Sequence, residues 1–202
     1  MQLYHTFTSP YARTTRIVAH ICNAAHEPVV IESNMLRTDT NPVLAVNPTG
    51  RVPTLVDGDV VLTETPAICR YLQAKGDGTR VFAADGDWAG VRLESWATSL
   101  LDGAALWTRE LRRPKEQQSD WLCGVERARA IRTLDWFDVE PGIRGGKAPW
   151  DYAHIVLAIG VEYLEFRNLI PDWRQGRDAL ADWFAEQQKR PSWIACALPP
   201  GA

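Results

Sequence analysis

Hydrophobic positions along the chain change their rhythm near residue 80. Before that point they fall in short runs broken by Gly, Pro, Asn and Asp; beyond it they recur at three- and four-residue spacing over long stretches. In the first part, "QLYHTF" reads as a strand, and Ile17, Val18, Ile21 and Cys22 then make the stripe of a helix. "PVVIE", Pro28 to Glu32, reads as a short buried strand. In "PTLVDGDVVL", Pro53 to Leu62, Asp57-Gly58 divides two apolar runs, a hairpin signal because this dipeptide accepts positive φ. "TPAICRYLQAK" reads as a helix with Thr65 as its N-cap and Pro66 at the first helical position, where the missing N–H costs nothing. The predicted order is β-α-β, a long irregular stretch with room for a short helix, then β-β-α.

The second part reads as helical throughout. Helices are predicted from about Trp88 to Arg112, Asp120 to Phe137, Asp151 to Phe166 and Arg177 to Gln188. All nine tryptophans lie at or beyond Trp88, so composition shifts where the rhythm does. "KGDGTRVFAADGD", Lys75 to Asp87, has the Gly and Asp content of a linker. The expected organisation is therefore an α/β domain over residues 1–78 and an all-α domain over residues 86–202. "GIRGGKA", Gly142 to Ala148, imitates a phosphate loop, but Pro141 stands where the first glycine belongs and Ala148 replaces the Ser or Thr. It reads as an interhelical loop.

Hydrophobic residues make up 46% of the 202 residues and charged residues 23%, the composition of a globular protein with a real core. A formal net charge of −3 provides no basic field for a nucleic-acid backbone. The mixed run "ERARAIR", Glu126 to Arg132, reads as a solvated helix face. "MQLYHTFTSP" has neither a basic lead nor a long apolar stretch, and no run of apolar residues reaches membrane-spanning length, so no membrane partner and a cytoplasmic location are expected. Cys22, Cys69, Cys123 and Cys196 are scattered, with no CxxC pair and no metal-ligand spacing alongside the four histidines. They are expected to be reduced and mostly buried, leaving no metal and no redox dithiol to carry chemistry.

The candidate chemistry lies in three places in the first part. Ser9-Pro10 fits a helix start, since serine caps well and proline suits the first helical position. A hydroxyl there also faces the positive end of the helix and can donate to an anion. In "NPTGRVPTLV", Asn47 to Val56, Pro53 at a strand start is on its own only a stop signal. If the Val52-Pro53 bond is cis, the Val52 N–H and C=O can point out of the sheet and pair with a ligand's peptide group. In "ETPAI", Glu64 can accept an ammonium group and the Thr65 end of the helix can hold a carboxylate; a plain capped helix is the alternative. Together the three describe a receptor for a small zwitterionic peptide with a hydroxyl aimed at its central side chain.

At these residues the chain resembles the glutathione transferases, in particular bacterial serine-type members. The resemblance is carried by "SPYARTTR", "NPTGRVPTLV", "TETPAICRYL", "APWDYAHIVLAIGVEYLEFR" and "RPSW", in order over nearly the whole chain. It implies a thioredoxin-like N-terminal domain, a helical C-terminal domain that contributes the electrophile pocket, and a homodimer with glutathione as co-substrate. By motif position it implies Ser9 as the thiol-activating residue, Val52 before cis-Pro53 as the backbone clamp, and Glu64 with Thr65 as the γ-glutamyl site. Arg51 stands where lysine is common in the family and reaches either ligand or solvent. Tyr11 either lines the glutathione site or covers the helix start. Trp107 and Arg109 are candidates for the second pocket, although a tryptophan at helical spacing is more often core. One departure is in the helix near Asp151: the family's reciprocal cap of Ser or Thr with Asp is replaced by Asp151 and His154, so local stability there is in question.

The implied activity is conjugation of the glutathione thiolate to small apolar electrophiles, with peroxidase or dehalogenase chemistry as side activities. The alternative is a glutathione-binding regulatory protein that has the fold without the catalysis.

Overall fold

The computed structural model describes residues 1–199, which fall into two compact units. Met1–Val81 and the segment from Pro191 make the first; Phe82–Arg190 makes the second.

The first unit runs β1 (Gln2–His5), α1 (Pro10–Ile21), β2 (Glu27–Val30), two single 3-10 turns at Met35–Arg37 and Pro42–Ala45, β3 (Thr54–Asp57), β4 (Val60–Thr63) and α2 (Thr65–Lys75). Its sheet has the order β2-β1-β3-β4 among the described residues, with β1 parallel to β2 and antiparallel to β3. α1 packs on α2, and Leu3, Ile17, Val18, Leu55, Ile68 and Leu72 are fully enclosed between these elements. This is the expected thioredoxin-like α/β arrangement, and the all-helical second unit completes the expected fold class.

Three local expectations need correction. β2 is not a buried strand: it lies at the sheet edge with its residues exposed or half-buried, and only Ile31, just past its end, is enclosed. An apolar run does not distinguish a central strand from an edge strand. The hairpin turn is centred one residue later than the Asp57-Gly58 pair, because Asp57 still pairs with Val60; Gly58 opens the two-residue loop with φ of 61°. At α2 the cap is Glu64, not Thr65, which is already helical.

α8 (Pro191–Ala195) packs against α1. Arg13, buried in α1, donates from Nε to the Cys196 carbonyl at 2.9 Å and stacks its guanidinium 4.1 Å from the Trp193 ring. The packing of this last segment on the first unit thus rests on a charged hydrogen bond and a cation–π contact, both shielded from water.

The second unit contains α3 (Trp88–Glu110), α4 (Asp120–Asp138), α5 (Pro141–Arg144), α6 (Tyr152–Phe166) and α7 (Asp178–Gln187). α6 is apolar on all sides and buried almost from end to end, with α3 packed along it, so it forms the centre of the unit. Trp107 is core, and Arg109 is exposed. The "GIRGGKA" loop opens with the single turn α5, capped by Glu140 Oε2 accepting from Ile143 N at 3.0 Å. Within "ERARAIR", Glu126 is buried rather than solvated, and its charge is met by Arg129 Nη1 at 2.6 Å. None of the described helices is long and apolar enough to cross a membrane.

The unusual cap at α6 is complete. Asp151 Oδ1 accepts from the backbone N–H of His154 at 3.0 Å and also contacts His154 Nδ1 at 2.6 Å. The histidine, buried to 3% exposure, returns a ring N–H to the cap's carboxylate in place of a carboxylate to the cap's backbone. Asp151→Ala removes the cap and leaves the ring nitrogen buried without its acceptor, so urea denaturation is expected to show a loss of about 2 kcal/mol. Asp151→Asn keeps one acceptor and should lose clearly less.

Candidate thiol-binding site

Strand pairing assembles the site. Thr54, the first residue of β3, pairs with Tyr4 on one side and with Thr63, the last residue of β4, on the other. The chain leaves β1 towards Ser9, enters β3 from Val52-Pro53 and leaves β4 into Glu64-Thr65, all at one end of the sheet. Three segments far apart in sequence therefore converge because of a register, not because of their neighbours in the chain.

Ser9 caps α1 with extended backbone, φ −79° and ψ 118°. Its Oγ accepts from Ala12 N at 3.2 Å, satisfying one of the free N–H groups of the first turn. The hydroxyl proton is left over for a further acceptor, at the helix end where negative charge is favoured. Tyr11, in the first turn of α1, is half-buried.

The Val52-Pro53 peptide is cis. Neither the N–H nor the C=O of Val52 pairs with another group among the described residues. Pro53 is buried and Arg51 exposed. The loop leading to this point is tied down by polar side chains that sequence reading did not single out. Asn47 Nδ2 donates to Thr54 Oγ1 at 2.8 Å, Thr54 Oγ1 donates to Arg51 O at 2.7 Å, and Asn47 Oδ1 accepts from Thr49 N at 2.9 Å. Asn41 Nδ2 donates to Gly50 O at 2.8 Å. Asn41, Asn47 and Thr54 are all buried. Gly50 sits at φ of 61°, and a Cβ there would come within 2.9 Å of Asn41 Nδ2, so no other residue fits without a shift. The two Asn-Pro pairs, Asn41-Pro42 and Asn47-Pro48, were the available signal for this network.

Glu64 adopts φ of 67° and ψ of 125°, a conformation that L residues rarely hold and that costs on the order of 1–3 kcal/mol. Its side chain is exposed and makes no cap hydrogen bond, while its carbonyl accepts from Ile68 N at 3.1 Å. Thr65 is buried at the head of α2. An exposed carboxylate and a helix start thus project from the same strained corner. The described residues contain no cluster of three or more His, Cys, Asp or Glu able to hold a metal ion.

The family model for the glutathione S-transferase N-terminal domain matches residues 8–75, a span that includes Ser9, Val52-Pro53 and Glu64-Thr65. Over its full length the chain is 28% identical to the uncharacterized GST-like protein YibF of Escherichia coli K12, covering 100% of both chains. It superposes on a crystallised glutathione transferase family member from Pseudomonas fluorescens Pf-5, with bound S-(propanoic acid)-glutathione, at a TM-score of 0.85 and 28% identity. That superposition covers 98% of this chain and 100% of the other. Residues 8–75 thus carry a glutathione S-transferase N-terminal domain, and the whole chain shares the glutathione transferase fold. A second member of similar structure, from Methylobacillus flagellatus KT with glutathione bound, has a TM-score of 0.86, 27% identity and coverage of 98% and 99%.

Within this glutathione transferase fold, the Asn47 network is what fixes the loop ahead of β3. Asn47→Ala deletes one donor and one acceptor in a buried setting and should cost about 1–3 kcal/mol in chemical denaturation. Amide exchange at Thr49 and Gly50 is expected to accelerate in the variant, whereas exchange in α6, in the other unit, should follow only the global stability.

Proposed function

We propose that this chain binds glutathione at the sheet end described above and conjugates its thiolate to small apolar electrophiles, as a serine-type transferase. The single observation that carries the proposal is the state of the Ser9 hydroxyl: its oxygen already accepts from Ala12 N–H, so the group is oriented, and its proton remains available to a sulfur anion at the helix start. In this reading the unpaired backbone of Val52 holds the cysteinyl peptide unit in the manner of an added strand. Glu64 receives the γ-glutamyl ammonium, and Thr65 with the first turn of α2 its carboxylate. Tyr11 and Arg51 border the same ligand. The bound forms of the Pseudomonas and Methylobacillus proteins support this choice of co-substrate.

The energies are adequate for activation without a formal base. A free thiol has a pKa of about 8.5, and lowering it by about two units takes roughly 2.7 kcal/mol of preference for the anion. A helix N-terminus supplies about 0.3–2 kcal/mol, and a hydrogen bond to a charged acceptor about 1.5–3 kcal/mol. The thiol proton leaves to solvent, sulfur forms a bond to the electrophilic carbon, and the leaving group departs with its electron pair. A homodimer and a cytoplasmic setting belong to the same proposal; the four free cysteines, three of them buried, support a reducing compartment.

Ser9→Ala tests the reading directly. The pKa of bound glutathione, followed by thiolate absorbance, is expected to rise by about one to two units, since the helix end remains, which lowers the thiolate fraction at neutral pH about 3- to 25-fold. Glutathione affinity should change much less than kcat. An unchanged pH–rate profile would exclude Ser9 from thiol activation. Retained affinity in both Glu64→Ala and Thr65→Ala would exclude the γ-glutamyl assignment, and binding without turnover over a panel of electrophiles would favour the non-catalytic alternative.

A further inference from the structure

The connection between α3 and α4, residues 111–119, closes one end of the second unit, and side chains fix its backbone. Buried Glu110 Oε1 accepts from Ser119 N at 2.7 Å and from Arg113 Nη1 at 2.9 Å. Gln118 Nε2 donates to the carbonyls of Leu111 at 3.1 Å and Arg113 at 2.9 Å. The bond from Ser119 to Glu110 holds the last turn of α3 beside the first turn of α4. Leu111 and Trp121 therefore stand at the same end of the helix pair, 43% and 76% exposed.

The same end is rich in cations. The run "RELRRPK" carries Arg109, Arg112, Arg113 and Lys115, all exposed. Its one carboxylate, Glu110, is buried and already met by Arg113. Past the run, Glu116 is exposed, and the charge of Asp120 in the first turn of α4 is offset by that helix start. A locally cationic tip thus projects from a chain whose net charge is −3. Scattered exposed apolar residues and solvated charge runs are each ordinary. Here a rigid connection presents both together.

We propose that this tip docks on an anionic lipid surface, with Trp121 and Leu111 entering the boundary between headgroups and acyl chains and the cations lying over the phosphates. That no described helix can cross a membrane bears on spanning and not on surface contact. Tryptophan suits the boundary because its ring is apolar and its N–H can stay wet. A single-stranded nucleic acid would stack a base on Trp121 and leave Leu111 in water, and a purely polar acidic partner would leave both there. Because the connection is already ordered, docking costs it little conformational freedom. The proposal does not rest on the thiol chemistry.

Sedimentation of the full chain with vesicles tests it. The chain is expected to bind vesicles of phosphatidylcholine and phosphatidylglycerol in equal parts but not phosphatidylcholine alone, and to bind more weakly as salt rises. Lys115→Gln should weaken binding about fivefold, the effect of one basic residue at an anionic surface. Trp121→Ser should weaken it about tenfold or more, through the lost apolar burial. Both side chains are exposed, so the Tm of each variant should match that of the parent chain. Brominated acyl chains should quench a part of the tryptophan fluorescence that is missing in Trp121→Phe. Failure to bind the anionic vesicles, equal binding to both compositions, or binding unaffected by Trp121→Ser would each overturn the proposal. So would quenching that persists in Trp121→Phe, or tighter binding to a single-stranded oligonucleotide than to the vesicles.

Discussion

The pairing of Thr54 with Tyr4 and Thr63 is the constraint on which the site depends. A slip of one residue in either ladder would send Leu55 to the wrong face of the sheet and carry Val52 or Glu64 away from the end where Ser9 lies. The register is held twice over: by fully buried Leu3 and Leu55, which pair across β1 and β3, and by the polar chain from Asn47 through Thr54 to the Arg51 carbonyl. Apolar burial sets which face points inward. The buried amide and hydroxyl fix where β3 begins, because leaving any member of that chain unpaired costs more than the bond itself contributes.

Two helix starts meet at this sheet end in different conditions. At α1 the cap is conventional and relaxed, and its hydroxyl oxygen serves the backbone N–H of Ala12. At α2 the cap residue is held at positive φ with its side chain turned out to solvent and Pro66 in the first turn. A helix that wanted only stability would place Ser, Thr, Asp or Asn at this position with an inward hydrogen bond. Glu64 instead forgoes that bond and accepts backbone strain, and an exposed carboxylate is what results.

Much of this was legible in the sequence because the signals were local. The "SP" and "TP" pairs, the Asp-Gly turn and the three- and four-residue spacing of α3, α4, α6 and α7 each act within a few residues, and the helices fall within about two residues of their expected ends. What escaped was non-local. Whether an apolar run such as "PVVIE" is central or at an edge depends on which strand lies beside it. Glu126 looked solvated in a run of charges because nothing in that run reports the helix packed over it. His154 looked like a broken cap, since capping rules anticipate a carboxylate returning to backbone and not a ring returning to a carboxylate.

The two arginines of "ARTTR" show how three residues of separation decide the fate of the same chemical group. Arg13 faces α8 and finds a carbonyl and a tryptophan ring; burial lowers its pKa to about 10, which still leaves it charged at neutral pH. Its charge is thereby committed to holding the last segment in place. Arg16 lies almost one turn further along α1, over the outer strand, where the neighbouring side chains are His5, alanines and a proline. Arg16 stays partly exposed and lies over the Phe7 ring, 5.2 Å away, so water and a ring meet the charge that α8 meets at Arg13.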